Sequence, residues 1–155
     1  MKALITGASS GIGKEIALYL SQIGYDLYLV GRNEDALKEV SSMCNNAKYY
    51  IYDLSDISNA YKLYDELKNV KIDLLVNNAG FGLFGYFNKT DLDRELEMIN
   101  VNIVSLHILS KLFLKDMVKR NRGKILNVAS SAGFFAGPYL STYYATKNYV
   151  LKLTM

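Results

Sequence analysis

The sequence predicts a doubly wound α/β domain, in which helices cover both faces of a parallel sheet. Short apolar runs alternate with amphipathic helical patterns along the whole chain, as the strands and crossover helices of such a sheet require. The chain has 155 residues, of which 50% are hydrophobic and 21% are charged, enough for a substantial core. No internal repeat or low-complexity linker interrupts the pattern, so we expect one domain over residues 1–155.

The first part of the chain gives three strand patterns that alternate with three helix patterns. They predict strands at 2–5, 26–30 and 48–52 and helices at 11–23, 34–43 and 57–68. Gly24 follows the first helix as a typical C-terminal glycine, and Asn33 precedes the second helix as an N-cap. Ser55 or Asp56 is expected to cap the third helix.

The second part of the chain continues the alternation with longer elements. Strands are predicted at 72–76 and 124–128, with a long helix at 91–120 between them and a last helix that runs to the C-terminus. A glycine-rich loop follows the fourth strand with the sequence Asn77-Asn78-Ala79-Gly80.

Composition and charge argue against several classes of function. The net charge is only +3 and the basic residues are dispersed, so nucleic-acid binding is not expected. Cys44 is the single cysteine and His107 the single histidine, so we expect neither a disulfide nor a metal site. No apolar run looks long enough to span a bilayer, and Met1 leads directly into a strand. We therefore expect a cytoplasmic protein with no membrane partner.

A glycine-rich turn, Thr6-Gly7-Ala8-Ser9-Ser10-Gly11-Ile12-Gly13, connects the first strand to the first helix. Such a turn brings backbone close to a pyrophosphate, which the free N–H groups and the dipole of the helix N-terminus attract. Gly7 would permit the sharp turn, Gly11 the close approach of the ligand, and Gly13 the packing of helix against strand. Ser9 and Ser10 add hydroxyl donors. The alternative is a structural turn that binds no ligand.

Tyr143 and Lys147 are four residues apart on a predicted helix, and Ser130 precedes the tyrosine by thirteen residues. Positions i and i+4 share a helix face, so the lysine ammonium can lie beside the phenol and help it to act as a proton donor. Tyr64 and Lys68 have the same spacing but lie in a polar amphipathic stretch without the serine. We interpret that second pair as a solvated helix face.

These motifs, in this order and at these spacings, resemble the short-chain dehydrogenase/reductase family, and specifically its shorter, single-domain branch. The resemblance covers residues 1–155 and includes the glycine turn, the Asn-Asn-Ala-Gly loop, Ser130 and the Tyr143/Lys147 pair. It implies a Rossmann-like domain of three layers that binds NAD(P) and transfers a hydride between the nucleotide and a small carbonyl or alcohol substrate.

The resemblance assigns catalytic roles to four side chains. Tyr143 is the general acid or base, Lys147 lowers its pKa and binds the nicotinamide ribose, and Ser130 orients the substrate oxygen. Asn102 is expected to hold a water next to the lysine, because its spacing to Tyr143 fits the family better than that of Asn100. Asn102 could instead hydrogen-bond within the helix interior.

The end of the second strand carries no carboxylate, whereas an acidic residue there binds the ribose of NAD in ordinary sites. Arg32 stands in its place and could bind a 2′-phosphate, so NADP(H) is favoured and NAD(H) stays possible. Arg32 could also be a surface residue at the start of a helix. Asp53 resembles the family's adenine-binding aspartate, or it caps the loop before the third helix. The full set of expected nucleotide contacts is Gly7, Ser9, Ser10, Gly11, Ile12, Gly13, Arg32, Asp53, Leu54, Asn78, Ala79, Gly80, Tyr143 and Lys147.

Aromatic residues crowd the two loops near the expected site. They form either an apolar pocket for a hydrophobic carbonyl compound or part of the core or of an interface. They are Phe81, Phe84, Tyr86, Phe134, Phe135 and Tyr139.

Members of the resembled family normally continue beyond the catalytic lysine with further strands, a turn that touches the nicotinamide and a substrate lid. We therefore expect this chain to be a fragment of a longer enzyme. The broad apolar surface of residues 99–113 favours association into a homodimer or homotetramer, as in the family. The alternative function is a nucleotide-binding module, or an inactive fragment, without turnover.

Overall fold

A computed structural model describes residues 1–154 and contains five strands and six α-helices in that range. The strands are β1 (Lys2–Thr6), β2 (Asp26–Gly31), β3 (Ala47–Ile51), β4 (Leu74–Asn77) and β5 (Lys124–Asn127). The helices are α1 (Gly11–Gln22), α2 (Glu34–Ser42), α3 (Ser58–Leu67), α4 (Leu92–Ile99), α5 (Leu106–Lys119) and α6 (Ser141–Thr154). Each predicted strand and helix is present, with bounds that differ from the prediction by a few residues.

The five strands form one parallel sheet in the order β3-β2-β1-β4-β5. Ile5 of β1 pairs with Leu29 of β2 on one side and with Val76 of β4 on the other. The chain builds the sheet outward from β1 to β3 and then returns to add β4 and β5 on the opposite side. The predicted doubly wound fold is thus confirmed, and its topological switch point lies between β1 and β4, where such folds form a ligand crevice.

Alternate residues of the strands supply two separate apolar cores, one on each face of the sheet. Leu4 faces a cluster that includes Leu63 of α3 and Leu109 of α5. Ile5 faces the other cluster, with Leu20 of α1 and Leu37 of α2. All but Leu20 of these side chains are fully buried, which fixes the register of β1 and hence the position of the turn that follows it.

The helix ends follow the chemistry that the sequence predicts. Gly24 has φ 86° beyond α1, a left-handed conformation that glycine adopts without a Cβ clash. The side chain of Asn33 accepts a hydrogen bond of 3.0 Å from the Ala36 N–H at the start of α2. Before α3, the Asp56 carboxylate accepts from the Ser58 N–H at 2.9 Å, so Asp56 rather than Ser55 caps that turn.

The long predicted helix is not uniform. Helices α4 and α5 are joined without a break by a π-helical segment, Asn100–Ser105, which contains Asn102. By length and composition, the continuous helix Leu92–Lys119 is apolar enough to cross a membrane. The expectation that no such stretch exists was therefore wrong, although Leu109 and Phe113 of this helix pack in the core against the sheet.

Tyr64 departs from its predicted place on a solvated helix face. Its ring packs edge-on against Phe113 at a centroid distance of 5.2 Å, and its hydroxyl donates to Asp116 at 2.8 Å. Partial burial and the Asp116 carboxylate raise the pKa of Tyr64 to about 12. Tyr64 therefore joins α3 to α5, and only Lys68, which pairs with Asp65, lies on the solvated side.

Candidate active site

A cavity of about 600 Å³ opens at the carboxyl ends of β1, β2 and β4, where the strand order reverses. Most of the residues predicted to contact a nucleotide line this cavity. They are Gly7, Ser9, Ser10, Gly11, Ile12, Arg32, Asp53, Leu54, Asn78, Ala79, Gly80, Tyr143 and Lys147. Gly13, Asn102 and Ser130 do not line it, and the structure gives each of them a different place.

The two glycines in the first turn of α1 meet different constraints. A Cβ at Gly13 would lie 2.2 Å from the carbonyl oxygen of Gly7, so Gly13 allows α1 to pack directly under the turn. Gly11 has φ 54°, and a Cβ there would meet no atom within 4 Å. Gly11 therefore faces open space at the first turn of α1, where free N–H groups point toward the cavity.

The loop after β4 is bonded directly to the glycine turn. The Asn78 amide donates to the carbonyl oxygens of Thr6 and Gly7 at 3.0 and 3.1 Å. In return, the Thr6 hydroxyl accepts from the N–H groups of Asn78 and Ala79, both at 3.0 Å. Asn78 thus both lines the cavity and holds the switch point together.

Arg32 and Asp53 lie at the β2 and β3 end of the cavity. Their nearest charged atoms are 3.6 Å apart, and the Arg32 side chain is 63% exposed. Asp53 also accepts from the Ser55 N–H and hydroxyl at 2.9 and 2.8 Å, so it orders the loop before α3 as well. Partial burial disfavours the carboxylate, but these bonds and the Arg32 guanidinium outweigh it and lower the pKa of Asp53.

Tyr143 and Lys147 lie at the opposite end of the cavity, on the first two turns of α6. The Lys147 ammonium is 5.9 Å from the centre of the Tyr143 ring and donates to the Val128 carbonyl at 3.0 Å. Lys147 is only 6% exposed, and burial lowers the pKa of its amine. The helical spacing thus places a buried cation next to a tyrosine at the cavity wall.

Ser130 lies just after β5, close in sequence to Val128 and Ala129, which do line the cavity. Its hydroxyl oxygen accepts a hydrogen bond of 3.1 Å from the Ala132 N–H and so caps a short 3₁₀ turn, Ser131–Phe134. The 3₁₀ turn was not predicted. Gly133, in this turn, packs against the backbone of Lys147, which fixes the distance between the serine segment and α6.

Asn102 is buried in the π-helical segment, beneath the cavity floor. Its amide donates to the Phe81 carbonyl at 2.9 Å and to the Thr146 hydroxyl at 3.0 Å, while its oxygen accepts from the Phe81 N–H at 3.1 Å. Asn102 therefore bonds outward to two other segments instead of within its own helix, and it fixes the loop beside Tyr143 relative to α6.

Some lining residues escaped prediction because their types carry no chemical signal. Val101 and Val128 contribute only backbone or apolar surface, and Tyr52 was expected to belong to a strand. Phe81 was expected near the site as an aromatic, and the double hydrogen bond that positions it depends on Asn102, 21 residues away. Nothing local in the sequence indicates such a partner.

The aromatic residues divide between the two loops that flank Tyr143. The rings of Phe84 and Tyr86 contact the Tyr139 ring at centroid distances of 5.3 and 4.8 Å, and the Gly85 N–H donates to the Tyr139 carbonyl at 2.8 Å. Phe84 is 73% exposed, so this cluster lies at the surface and not in the core. Gly82 begins the first loop against the Tyr143 ring, where a Cβ would lie 3.3 Å from the ring.

The cavity fits a dinucleotide in shape and in donor chemistry. The open space at Gly11 and the free N–H groups of α1 suit a pyrophosphate. Arg32 at one end suits an anion, and the Lys147 ammonium at the other end can donate hydrogen bonds to hydroxyl oxygens. Among residues 1–154, no group of three or more His, Cys, Asp or Glu side chains is placed to hold a metal ion.

The fold and the cavity together define a nucleotide-binding domain of the doubly wound class. A family model described as short chain dehydrogenase matches residues 1–155. The chain belongs to the short-chain dehydrogenase family, whose members are oxidoreductases.

Known relatives agree with this membership. The chain is 42% identical over 147 residues to an uncharacterized short-chain type dehydrogenase/reductase, y4eK, of Sinorhizobium fredii, covering 94% of this chain and 57% of that protein. It is 37% identical over 160 residues to a very-long-chain 3-oxoacyl-CoA reductase of Macaca fascicularis, covering 96% of this chain and 50% of that protein. The chain thus spans about half the length of the curated relatives it matches.

A solved structure shows the same fold. The short-chain dehydrogenase from Sphingobium yanoikuyae in complex with NADPH superposes with a TM-score of 0.93 at 30% identity. The match covers 98% of this chain and 62% of that one.

Proposed function

We propose that the protein is an NADP-dependent oxidoreductase that interconverts a carbonyl and an alcohol by hydride transfer. One observation carries the proposal: Tyr143 and Lys147 line the same cavity as the glycine turn. A proton donor and a nucleotide cradle in one cavity are what a hydride-transfer reaction requires, because the substrate oxygen must gain or lose a proton as the carbon gains or loses a hydride.

The chain's own residues would bind and orient the reactants. The N–H groups at Gly11 and Ile12, with the hydroxyls of Ser9 and Ser10, would hold the pyrophosphate, and Asp53 and Leu54 the adenine end. The nicotinamide, when bound, is the source or acceptor of the hydride. The other predicted contacts that line the cavity would also touch the nucleotide. Gly13 would support the turn from below without touching the nucleotide.

In the reducing direction, the Tyr143 hydroxyl would give its proton to the carbonyl oxygen while the carbonyl carbon accepts the hydride. The phenolate that results would be stabilised by the Lys147 ammonium, which α6 places on the same side. Oxidation of the alcohol reverses both transfers. Ser130 would orient the substrate oxygen, for which its hydroxyl hydrogen is available, since the bond from Ala132 uses only the oxygen.

The preference for NADP(H) over NAD(H) is supported by the exposed Arg32 side chain. Its contact with Asp53 is long and solvated, and such pairs stabilise weakly, so most of the guanidinium is free to bind a phosphate. The solved relative that contains NADPH has the same fold.

The substrate would be a large apolar carbonyl compound. The exposed rings of Phe84, Tyr86 and Tyr139 lie on the two loops that flank Tyr143 and offer apolar surface there, outside the lining of the cavity itself. The relative from Macaca fascicularis is a very-long-chain 3-oxoacyl-CoA reductase, whose name describes a long apolar acyl substrate.

A cytoplasmic homodimer or homotetramer is the form that we propose for the protein. Leu114 and Val118 of α5 and Leu153 of α6 are exposed on neighbouring helices, and a second copy of the chain would cover them.

The competing function is nucleotide binding without turnover, for which a buried lysine beside a tyrosine would have no use.

The test is a fluorescence titration with NADPH and NADH combined with an assay of carbonyl reduction, on the wild type, Tyr143→Phe and Tyr144→Phe. Tyr144 is the matched control because its hydroxyl packs near Gly137, away from the cavity. The proposal requires that Tyr143→Phe binds NADPH but loses turnover while Tyr144→Phe keeps both. Binding in the wild type with no turnover of any carbonyl would favour the binding module instead.

A further inference from the structure

A buried carboxylate outside the cavity connects the two segments that surround Tyr143. Glu95 lies in the first turn of α4 and is only 8% exposed. One carboxylate oxygen accepts a hydrogen bond from the Thr90 hydroxyl, and the other accepts from the Thr142 hydroxyl at 3.0 Å. Both partners are neutral, and no cation among residues 1–154 forms a salt bridge with Glu95.

Burial of a charged carboxylate beside hydroxyls alone carries a free-energy cost that a surface position would avoid. The two hydroxyl bonds offset part of that cost, and so does the dipole of α6, which favours a negative charge near its first turn. Both contributions require that α4, the loop that ends at Thr90 and the start of α6 keep their relative positions. An apolar residue at this position would have served a purely packing role better. The arrangement therefore indicates that the relative position of the segments matters.

The two partners of Glu95 control the parts of the molecule that would meet the substrate. Thr142 directly precedes Tyr143 at the start of α6. Thr90 ends the loop that carries Phe84 and Tyr86, and its N–H donates to the Tyr86 carbonyl at 3.0 Å. Glu95 thus holds the proton donor with one oxygen and the aromatic loop with the other.

Close packing around Glu95 makes this connection stiff. A gap of only about 10 Å³ remains there, lined by residues of the aromatic loop (residues 82–90), of α4, by Tyr139 and by the first residues of α6. A Cβ at Gly85 would lie 2.8 Å from a methyl carbon of Thr90, so the loop is pressed against its anchor. A small displacement of the carboxylate would therefore shift both segments instead of being absorbed by empty space.

We infer that Glu95 is a positioning residue, which sets the placement of Tyr143 and of the aromatic loop through Thr142 and Thr90. This inference rests on the proposed function, because it concerns the geometry of that same site. Glu95 touches neither the cavity nor the glycine turn. Its loss should affect the use of substrate and leave nucleotide binding intact.

The test compares Glu95→Ala, Glu95→Gln and Asp93→Ala, where Asp93 is an exposed acid in the same turn of α4. Glu95→Ala should lower kcat/KM by about 10²-fold, as misplaced catalytic groups do, with the NADPH Kd within about twofold of the wild type. Glu95→Gln should recover much of the loss, since an amide can accept one hydroxyl bond and donate the other. Asp93→Ala should behave as the wild type.

Hydrogen exchange gives a second measurement that does not depend on turnover. Glu95→Ala should speed exchange in residues 82–90 and in the first turn of α6, but not in β1 or β4. Thr142→Val should loosen only the α6 segment and Thr90→Val only the loop, because each removes one of the two bonds. These two variants, with Glu95→Gln, also serve if Glu95→Ala does not fold.

The outcomes separate this inference from the proposed function. Unchanged exchange in both segments, equal loosening of the whole sheet, or a Glu95→Gln variant as impaired as Glu95→Ala would overturn the role of Glu95. A wild type that binds NADPH but turns over no substrate would contradict the proposed reaction. The hydrogen-exchange pattern would still show whether Glu95 holds residues 82–90 and the first turn of α6.

Discussion

The ammonium group of Lys147 lies 5.9 Å from the centre of the Tyr143 ring and is anchored to the Val128 carbonyl at 3.0 Å. The anchor is the residue that directly follows β5, so the segment after the strand and α6 both fix the position of the cation. A lysine buried to this degree is costly for stability, and the proposed role beside Tyr143 would give this lysine a function.

Replacement of this lysine by an apolar side chain should separate stability from function. Lys147→Met should abolish turnover and weaken nucleotide binding, yet leave the free energy of unfolding equal or up to about 2 kcal/mol higher, because no charge is then buried. Circular dichroism melts and NADPH titrations measure the two effects. A variant that is several kcal/mol less stable would show that the lysine is mainly structural.

The same lysine predicts a dependence of stability on pH. Burial lowers the pKa of Lys147 in the folded state, so the unfolded chain binds the proton more tightly. The wild type should therefore gain stability relative to Lys147→Met as the pH rises from the lowered pKa toward the ordinary lysine value, and the difference should be constant below that window. Denaturant unfolding of both proteins at a series of alkaline pH values tests the sign.

Two glycines of the turn should respond differently to the same substitution. Gly13→Ala forces a Cβ to within 2.2 Å of the Gly7 carbonyl oxygen and should cost about 3 kcal/mol of stability. Gly11→Ala meets no atom but strains a left-handed backbone, so it should cost only about 1 kcal/mol. Gly11→Ala should nevertheless weaken NADPH binding, since its methyl group enters the space beside the pyrophosphate. Equal losses of stability in the two variants would contradict the assigned roles.

Arg32 should discriminate between the two nucleotides. Arg32→Ala should raise the Kd for NADPH by about 10- to 100-fold, the amount expected for charge-assisted bonds to a phosphate, and leave the Kd for NADH nearly unchanged. Lys38→Ala is the control, because Lys38 is a basic residue on α2 that pairs with Glu34. A similar loss of affinity in both variants, or for both nucleotides, would show that Arg32 contributes only its positive charge and does not recognise the 2′-phosphate.

Asn102 should be more important for stability than its neighbour in the π-helical segment. Asn102→Ala removes two bonds to the Phe81 backbone and one to Thr146, and should cost about 2–3 kcal/mol. Asn100 makes a single bond to the Ser55 carbonyl, so Asn100→Ala should cost about 1 kcal/mol. Thermal unfolding of the two variants measures both losses of stability. A larger loss in Asn100→Ala than in Asn102→Ala would show that the bonds of Asn102 do not hold the loop at Phe81 in place.

The sheet, the helices and the glycine turn were predictable because local pattern determines them. The apolar runs predict that β1 and β2 are buried, and in the structure both strands lie between two apolar clusters. Gly24 follows α1 in a left-handed conformation, as its position in the sequence indicates. The spacing of Tyr143 and Lys147 needs only a helix to bring them together. These features depend on residues that are close in sequence.

The features that escaped prediction depend on partners far along the chain. Tyr64 was assigned to a solvated face because its stretch is polar and amphipathic, whereas its partner, Asp116, is 52 residues away. In the sequence, Glu95 looks like any acidic residue in the first turn of a helix. Only the fold brings it to Thr142, which is 47 residues later in the chain. A sequence pattern describes what a residue can do, whereas the tertiary contacts decide which of those possibilities is realised.

The most direct measurement is a single-turnover reaction with NADPH that carries deuterium at the transferable position, on the wild type and on Tyr143→Phe. With an apolar ketone as substrate, we expect deuterium on the alcohol carbon in the wild type. We also expect Tyr143→Phe to bind NADPH normally and to slow this transfer by about 10²-fold or more. Transfer at the wild-type rate in Tyr143→Phe, or an alcohol product without deuterium, would show that Tyr143 and NADPH do not act together as proposed.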